Sequence, residues 1–145
     1  MKRIRISDMT MKQAAEGFSL SFKEKIELAK LLDRLGASVI ELEGIRDSKV
    51  DALRIKSIAA AVKESTVAVP VELNAASVEK TWAALQTAKH PRLQVCASVS
   101  SVQMEYLYHK KPEAMLAAIR ETAKACCAVC ADTEFVLTRK KNIKK

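Results

Sequence analysis

The chain has 145 residues, room for one domain whose core buries roughly two thirds of its unfolded surface. Hydrophobic residues make up 49% and charged residues 29%, the balance of a globular protein, so disorder of the whole chain is excluded. No run of about 20 apolar residues is present to span a membrane, and the opening MKRIRISDMT alternates charge with isoleucine where a secretory leader needs an apolar stretch.

The net charge of +8 is unevenly placed: Arg139, Lys140, Lys141, Lys144 and Lys145 contribute five charges, leaving about +3 for residues 1–138. That pattern reads as a fold on 1–138 with a solvated basic tail on 139–145. It does not read as a nucleic-acid surface, which would interleave aromatics with bases along an element. Four cysteines, Cys96, Cys126, Cys127 and Cys130, have neither disulfide-framework context nor metal-site spacing with His90 or His109. They are expected to be small buried thiols in a reducing cytoplasm.

In chain order, Arg3–Ser7 alternates Ile4 and Ile6 in period two, a short first strand followed by a long loop. Ser21 and Glu24 form a capping-box pattern, Leu28, Leu31, Leu32 and Leu35 recur at helical spacing, and Gly36 stands at the stop position. A strand is expected at Ser38–Leu42, a helix from Ser48 to about Glu64, and a third strand at Val67–Leu73. Pro70 inside that strand argues against a regular central position, because proline has no ladder donor. A third helix over Ser77–Lys89 carries Val78, Trp82 and Leu85 on its apolar stripe and ends at His90-Pro91. A fourth strand over Leu93–Ser98 follows. Pro112 opens a helix to about Cys130, and Thr133–Leu137 is the fifth strand.

Strands alternating with helices imply βαβ units and a parallel sheet. Two folds compete: a five-stranded flavodoxin-type domain acting as a free-standing binding module, which the pattern alone favours on length, or half of a (β/α)8 barrel, since a complete barrel takes about 250 residues.

Particular residues favour the second. Asp8-Met9-Thr10-Met11-Lys12-Gln13, then Gly17-Phe18-Ser19, Glu24-Lys25, Leu35-Gly36 and Val39-Ile40-Glu41 fall in one order. Ser101-Val102-Gln103-Met104-Glu105-Tyr106, Lys111-Pro112-Glu113 and Asp132-Thr133-Glu134-Phe135 continue it. This resembles the HMGL-like family of metal-dependent aldolase-type barrels, which includes 2-isopropylmalate, homocitrate and citramalate synthases and hydroxymethylglutaryl-CoA lyase. The family's corresponding segments read D-T-T-L-R-D-G-E-Q, G-x-x-(F/L)-S, L-G-V-x-x-I-E, S-x-x-H-M-E-Y and D-V-E-F.

The resemblance implies a partial TIM (β/α)8 barrel of about four βα units plus a fifth parallel strand. It further implies an acyltransferase that condenses acyl-CoA with a 2-oxo acid, assisted by a divalent metal (Mg, Mn or Zn). In this sequence Lys12 and Gln13 occupy the family's Arg-Asp pair. Lys12 keeps the positive charge without the bidentate fork, and Gln13, at the metal-ligand position, offers only a neutral oxygen. Gln103 stands where many members have histidine, and no H-x-H pair follows. The resemblance makes Lys12 and Glu41 the candidate catalytic pair and Asp8, Glu72 and Gln103 candidate substrate contacts. Taken singly, Lys12 could be a solvated loop cation, Glu41 a structural ion-pair partner, and Asp8 the cap of an Asx-turn. His109 reads as a surface residue. A half-barrel leaves two sheet edges open, so the chain is expected to be inactive alone and to need a missing C-terminal half or another copy. A non-catalytic relative with a dismantled metal site, used for binding or assembly, is the alternative.

Overall fold

The computed structural model describes residues 4–12, 19–46, 49–98, 100, 104–105 and 108–138. Gln13, Gln103, Ser48 and the basic tail, all singled out in the sequence, lie outside them. Five strands alternate with helices: β1 (Ser7–Asp8), α1 (Phe22–Leu35), β2 (Val39–Glu41), α2 (Lys49–Ala61), β3 (Thr66–Val71), α3 (Ala75–Leu85), β4 (Pro91–Ser98), α4 (Pro112–Val129) and β5 (Thr133–Thr138). All four strand pairings are parallel, and the spatial order is β1-β2-β3-β4-β5. A flavodoxin-type sheet places its second strand outside the first. The sequential order found here is that of a barrel wall, and the molecule is a half-barrel.

Strand periodicity divides the sheet into two faces. Ile40 and Leu42, Val67, Val69 and Val71, and Leu93 and Val95 point to the helix side. There they form one cluster with Ala29, Ile55, Ile58, Val78, Leu85 and Cys126 from the four helices. The alternate residues, among them Glu41, Arg92, Gln94 and Glu134, occupy the other face and bond to one another across strands.

Helix α1 begins as expected: Ser21 Oγ accepts from the Glu24 amide at 3.3 Å, and Glu24 Oε2 accepts from the Ser21 amide at 2.8 Å. It ends on Gly36, left-handed at φ 88°. Pro70 does sit in a central strand. The Leu42 amide donates to Ala68 O at 2.9 Å, so the alternate residue Pro70 also faces β2, beyond the last β2–β3 pair, Glu41↔Ala68. The missing donor therefore costs no ladder bond. Gly44 packs against this proline, and a Cβ there would lie 3.0 Å from Pro70 O.

Other boundaries differ from expectation. β1 starts at Ser7; Ile4 and Ile6 are exposed by 84% and 64% and lie outside the strand, although Ile6 O accepts from the Ser38 and Val39 amides. α3 starts after Asn74, whose side chain accepts from the Ser77 amide. β3 begins one residue earlier than expected and ends before Leu73, while β4 includes Pro91 and Arg92. The cysteines are free, with Cys126 and Cys130 buried, Cys96 half-buried and Cys127, against expectation, exposed. Burial pushes the Cys126 thiol up to about 11, the behaviour of an inert core thiol. Trp82 packs partly buried against the core, and His109 is exposed.

Candidate functional site

The loop after β1 is pinned on the N-terminal side of Lys12. Asp8 closes an Asx-turn, its carboxylate accepting from the Thr10 amide and hydroxyl, each at 3.1 Å. The Lys12 amide donates to Met9 O at 2.9 Å, and Met11, only 4% exposed, inserts into the core cluster. The turn and the buried methionine together deliver Lys12 onto the polar face of the sheet.

There Lys12 Nζ lies 2.8 Å from Glu41 Oε2 and 3.0 Å from Gln94 Oε1. An ammonium has three donors; among the described residues these two acceptors leave one for a ligand oxygen. Glu41 Oε1 accepts from Ser7 Oγ at 2.7 Å. Gln94 Nε2 donates to Glu134 Oε2 at 2.9 Å, and Arg92 follows, 3.7 Å from Glu134 and in two 3.0 Å contacts from Nε to the Asp132 carboxylate. A continuous polar ladder thus crosses the inner face from β1 to β5. Burial pushes Glu41 up, but hydrogen bonds from Lys12, Ser7 and Gln94 and the Lys12 charge outweigh it and hold the carboxyl below its usual range. Cys96 shares this face, and its thiol is pushed up, mainly by burial.

Among the candidates, the structure joins Lys12 and Glu41 directly. Asp8 is spent on its turn. Glu72, exposed beyond the end of β3, lines with Lys12, Glu43, Gly44, Arg46 and Pro70 a cavity of about 330 Å³ at the strands' C-terminal ends. Sequence reasoning missed Gln94, Arg92 and Glu134 as members of the ladder. Their signal is period two: Arg92 and Gln94 alternate with Leu93 and Val95, and Glu134 with Thr133 and Phe135.

Gln13, which the resemblance puts at the metal-ligand position, lies outside the described residues. Among the described residues no three His, Cys, Asp or Glu side chains lie close enough to hold an ion. Glu41, the carboxylate beside Lys12, has both oxygens engaged by Lys12 and Ser7.

A parallel half-barrel with charged side chains gathered where its strands end belongs to the class of barrels that place their sites at that end. The HMGL-like family model matches residues 3–145, and the chain belongs to that family. It is similar to 2-isopropylmalate synthases. It is 32% identical over 126 residues to that of Halalkalibacterium halodurans, covering 86% of this chain and 24% of the relative. The figures are 34% over 128 residues for Nitratidesulfovibrio vulgaris (84% and 25%) and 32% over 132 for Caulobacter vibrioides (90% and 25%). The chain spans about a quarter of the length of these relatives. No helix among the described residues is long and apolar enough to cross a membrane.

Proposed function

We propose that residues 1–138 form the N-terminal half-barrel domain of an acyltransferase that joins an acyl-CoA to a 2-oxo acid, with 139–145 as a basic appendage. In such a Claisen-type condensation the acyl enolate attacks the 2-oxo carbonyl, whose oxygen becomes an alkoxide. The observation that carries this reading is Lys12 Nζ, held by Glu41 and Gln94 at the mouth of the strands with a donor to spare. Aimed at the developing oxyanion, that donor supplies charge stabilisation of the kind whose removal costs about 10²–10³ in rate. Glu41 orients Lys12, Glu72 lies on the rim beside the substrate, and Asp8 shapes the loop between them. The resemblance adds Gln103 to the substrate contacts and puts Gln13 at the metal-ligand position.

The test is release of CoA thiol from acetyl-CoA in the presence of pyruvate or 2-oxoisovalerate, using the longest polypeptide the native gene encodes. We expect 2-oxo-acid-dependent release that falls at least a hundredfold in Lys12→Ala. Absence of release with every 2-oxo acid, with ligand binding retained, overturns it in favour of a second reading: a non-catalytic barrel relative used for binding. The replacement of the family's Arg-Asp pair by Lys12 and Gln13 favours that second reading.

A further inference from the structure

At the C-terminal ends of β2 and β3, the cavity of about 330 Å³ does not stop at Glu72. A second cavity, of about 130 Å³, shares Ile45, Arg46 and Glu72 with it and adds Asn74, Ser77 and Lys80 from the head of α3. The two form one groove, with Lys12 in the first part, Lys80 in the second and Arg46 common to both.

The charges in this groove divide into paired and unpaired. Lys12 is held by Glu41, and Glu43 by Lys25 at 3.5 Å and Arg54 at 3.3 Å. Arg46 and Lys80 are exposed, and among the described residues neither side chain has a hydrogen bond or an ion pair. The acid beside them is Glu72, whose carboxylate accepts from Asn74 Nδ2 at 3.4 Å. Ser77, 9% exposed, adds a donor: its Oγ accepts from the Glu72 amide at 3.0 Å, and its own proton has no acceptor among the described residues. Two cations and a hydroxyl therefore stand against one carboxylate, a positive surplus at the α3 end. A carboxylate ligand brings two oxygens and a single charge. A phosphoryl group brings three strong acceptor oxygens and nearly two charges, enough to engage a guanidinium, an ammonium and a hydroxyl together and to outweigh Glu72.

We propose that Arg46, Lys80 and Ser77 form a phosphoryl-binding subsite at the head of α3, which takes the phosphate-bearing end of a ligand whose other end reaches toward Lys12 along the groove. That coenzyme A supplies the phosphate rests on the acyl-transfer reading above; the anion site itself rests on the unpaired donors. Glu72 keeps it from accepting small singly charged anions.

The full chain is titrated calorimetrically with coenzyme A, with pantetheine, which lacks the phosphates, and with inorganic phosphate. We expect coenzyme A to bind at least about tenfold more tightly than pantetheine. Arg46→Gln and Lys80→Gln should each weaken it about tenfold, the worth of one charge-assisted hydrogen bond, and leave pantetheine unchanged. Lys80→Arg should retain binding, and Glu72→Gln should tighten it. Neither cation contacts a protein group, so the melting temperature should not move in either variant and lost folding is excluded as the cause. Coenzyme A and phosphate binding that ignore both substitutions, or no binding of either ligand, overturns the proposal. An unchanged KM for acetyl-CoA in both variants would overturn it while leaving the acyltransferase reading intact. Phosphate bound through Arg46 and Lys80 with no preference for coenzyme A would support the subsite and remove the acyl-CoA reading.

Discussion

Asp33, near the end of α1, accepts from three consecutive backbone amides, Lys63 at 2.9 Å, Glu64 at 3.0 Å and Ser65 at 2.7 Å, and from Ser65 Oγ at 2.8 Å. One carboxylate thus ties α1 to the turn that feeds β3. Asp33→Ala strands those donors, the Ser65 pair in a buried setting, and is expected to cost about 2 kcal/mol in urea unfolding. Asp33→Asn, which keeps one acceptor oxygen, should cost less. Burial pushes the Asp33 carboxyl up, but its amide and hydroxyl donors outweigh that and leave it below its usual range, as the ladder does for Glu41. A depressed folded pKa binds protons more weakly than the unfolded chain does. The stability these groups supply is therefore complete above the unfolded carboxylate values, about 4, and is lost as pH falls through the lower folded values. The melting temperature should hold from pH 7 to 5 and fall below about pH 4. Asp33→Asn with Glu41→Gln should flatten that fall; an unchanged acid limb would place the acid sensitivity elsewhere.

Helix α1 shows what an element needs in order to be readable from residues alone. Its start is a local exchange between Ser21 and Glu24, and its stop is one residue, Gly36, with nothing within 4 Å of where a Cβ would be. The cost of Gly36→Ala is then purely the left-handed conformation at φ 88°, about 1 kcal/mol in denaturant melts, with Gly36→Asn milder. The start of α3 was not legible, because Asn74 and Ser77 are both competent caps. Their roles interlock, Asn74 Oδ1 accepting from the Ser77 amide while Ser77 Oγ accepts from the Glu72 amide. β1 was misplaced because alternation at Ile4 and Ile6 mimics a strand, whereas among the described residues only Ser7 and Asp8 are in register with β2, Ile6 lending it just a carbonyl. Of the site, Lys12 and Glu41 were legible through the family resemblance and the position of a carboxylate at a strand end. Gln94 was not, since a lone glutamine in an apolar strand gains meaning only when the register sets it between Lys12 and Glu134.

At the scale of the molecule, helices cover one face of the sheet unequally. β2, β3 and β4 are overlaid, and Leu93 at the centre of β4 is fully buried. On β5, the six-residue ladder to β4 puts Phe135 and Leu137 opposite Val95 and Ala97, on the helix side, yet they are 49% and 58% exposed. The parallel register and the contacts of Gln94 and Arg92 to Glu134 hold β5, while apolar burial holds β4. Leu93→Ala should therefore cost about 3 kcal/mol, from lost transfer energy and an unfilled cavity, and lower the melting temperature by roughly 10 °C. Leu137→Ala removes contacts with water more than with protein and should cost well under about 1 kcal/mol. The two variants, melted side by side, also report on the half-barrel's surroundings. A loss at Leu137 matching that at Leu93 would mean that the outer face of β5 is covered in solution, as the next helix of a closed barrel would cover it. A negligible loss would mean that β5 stands as the open edge of the folded unit.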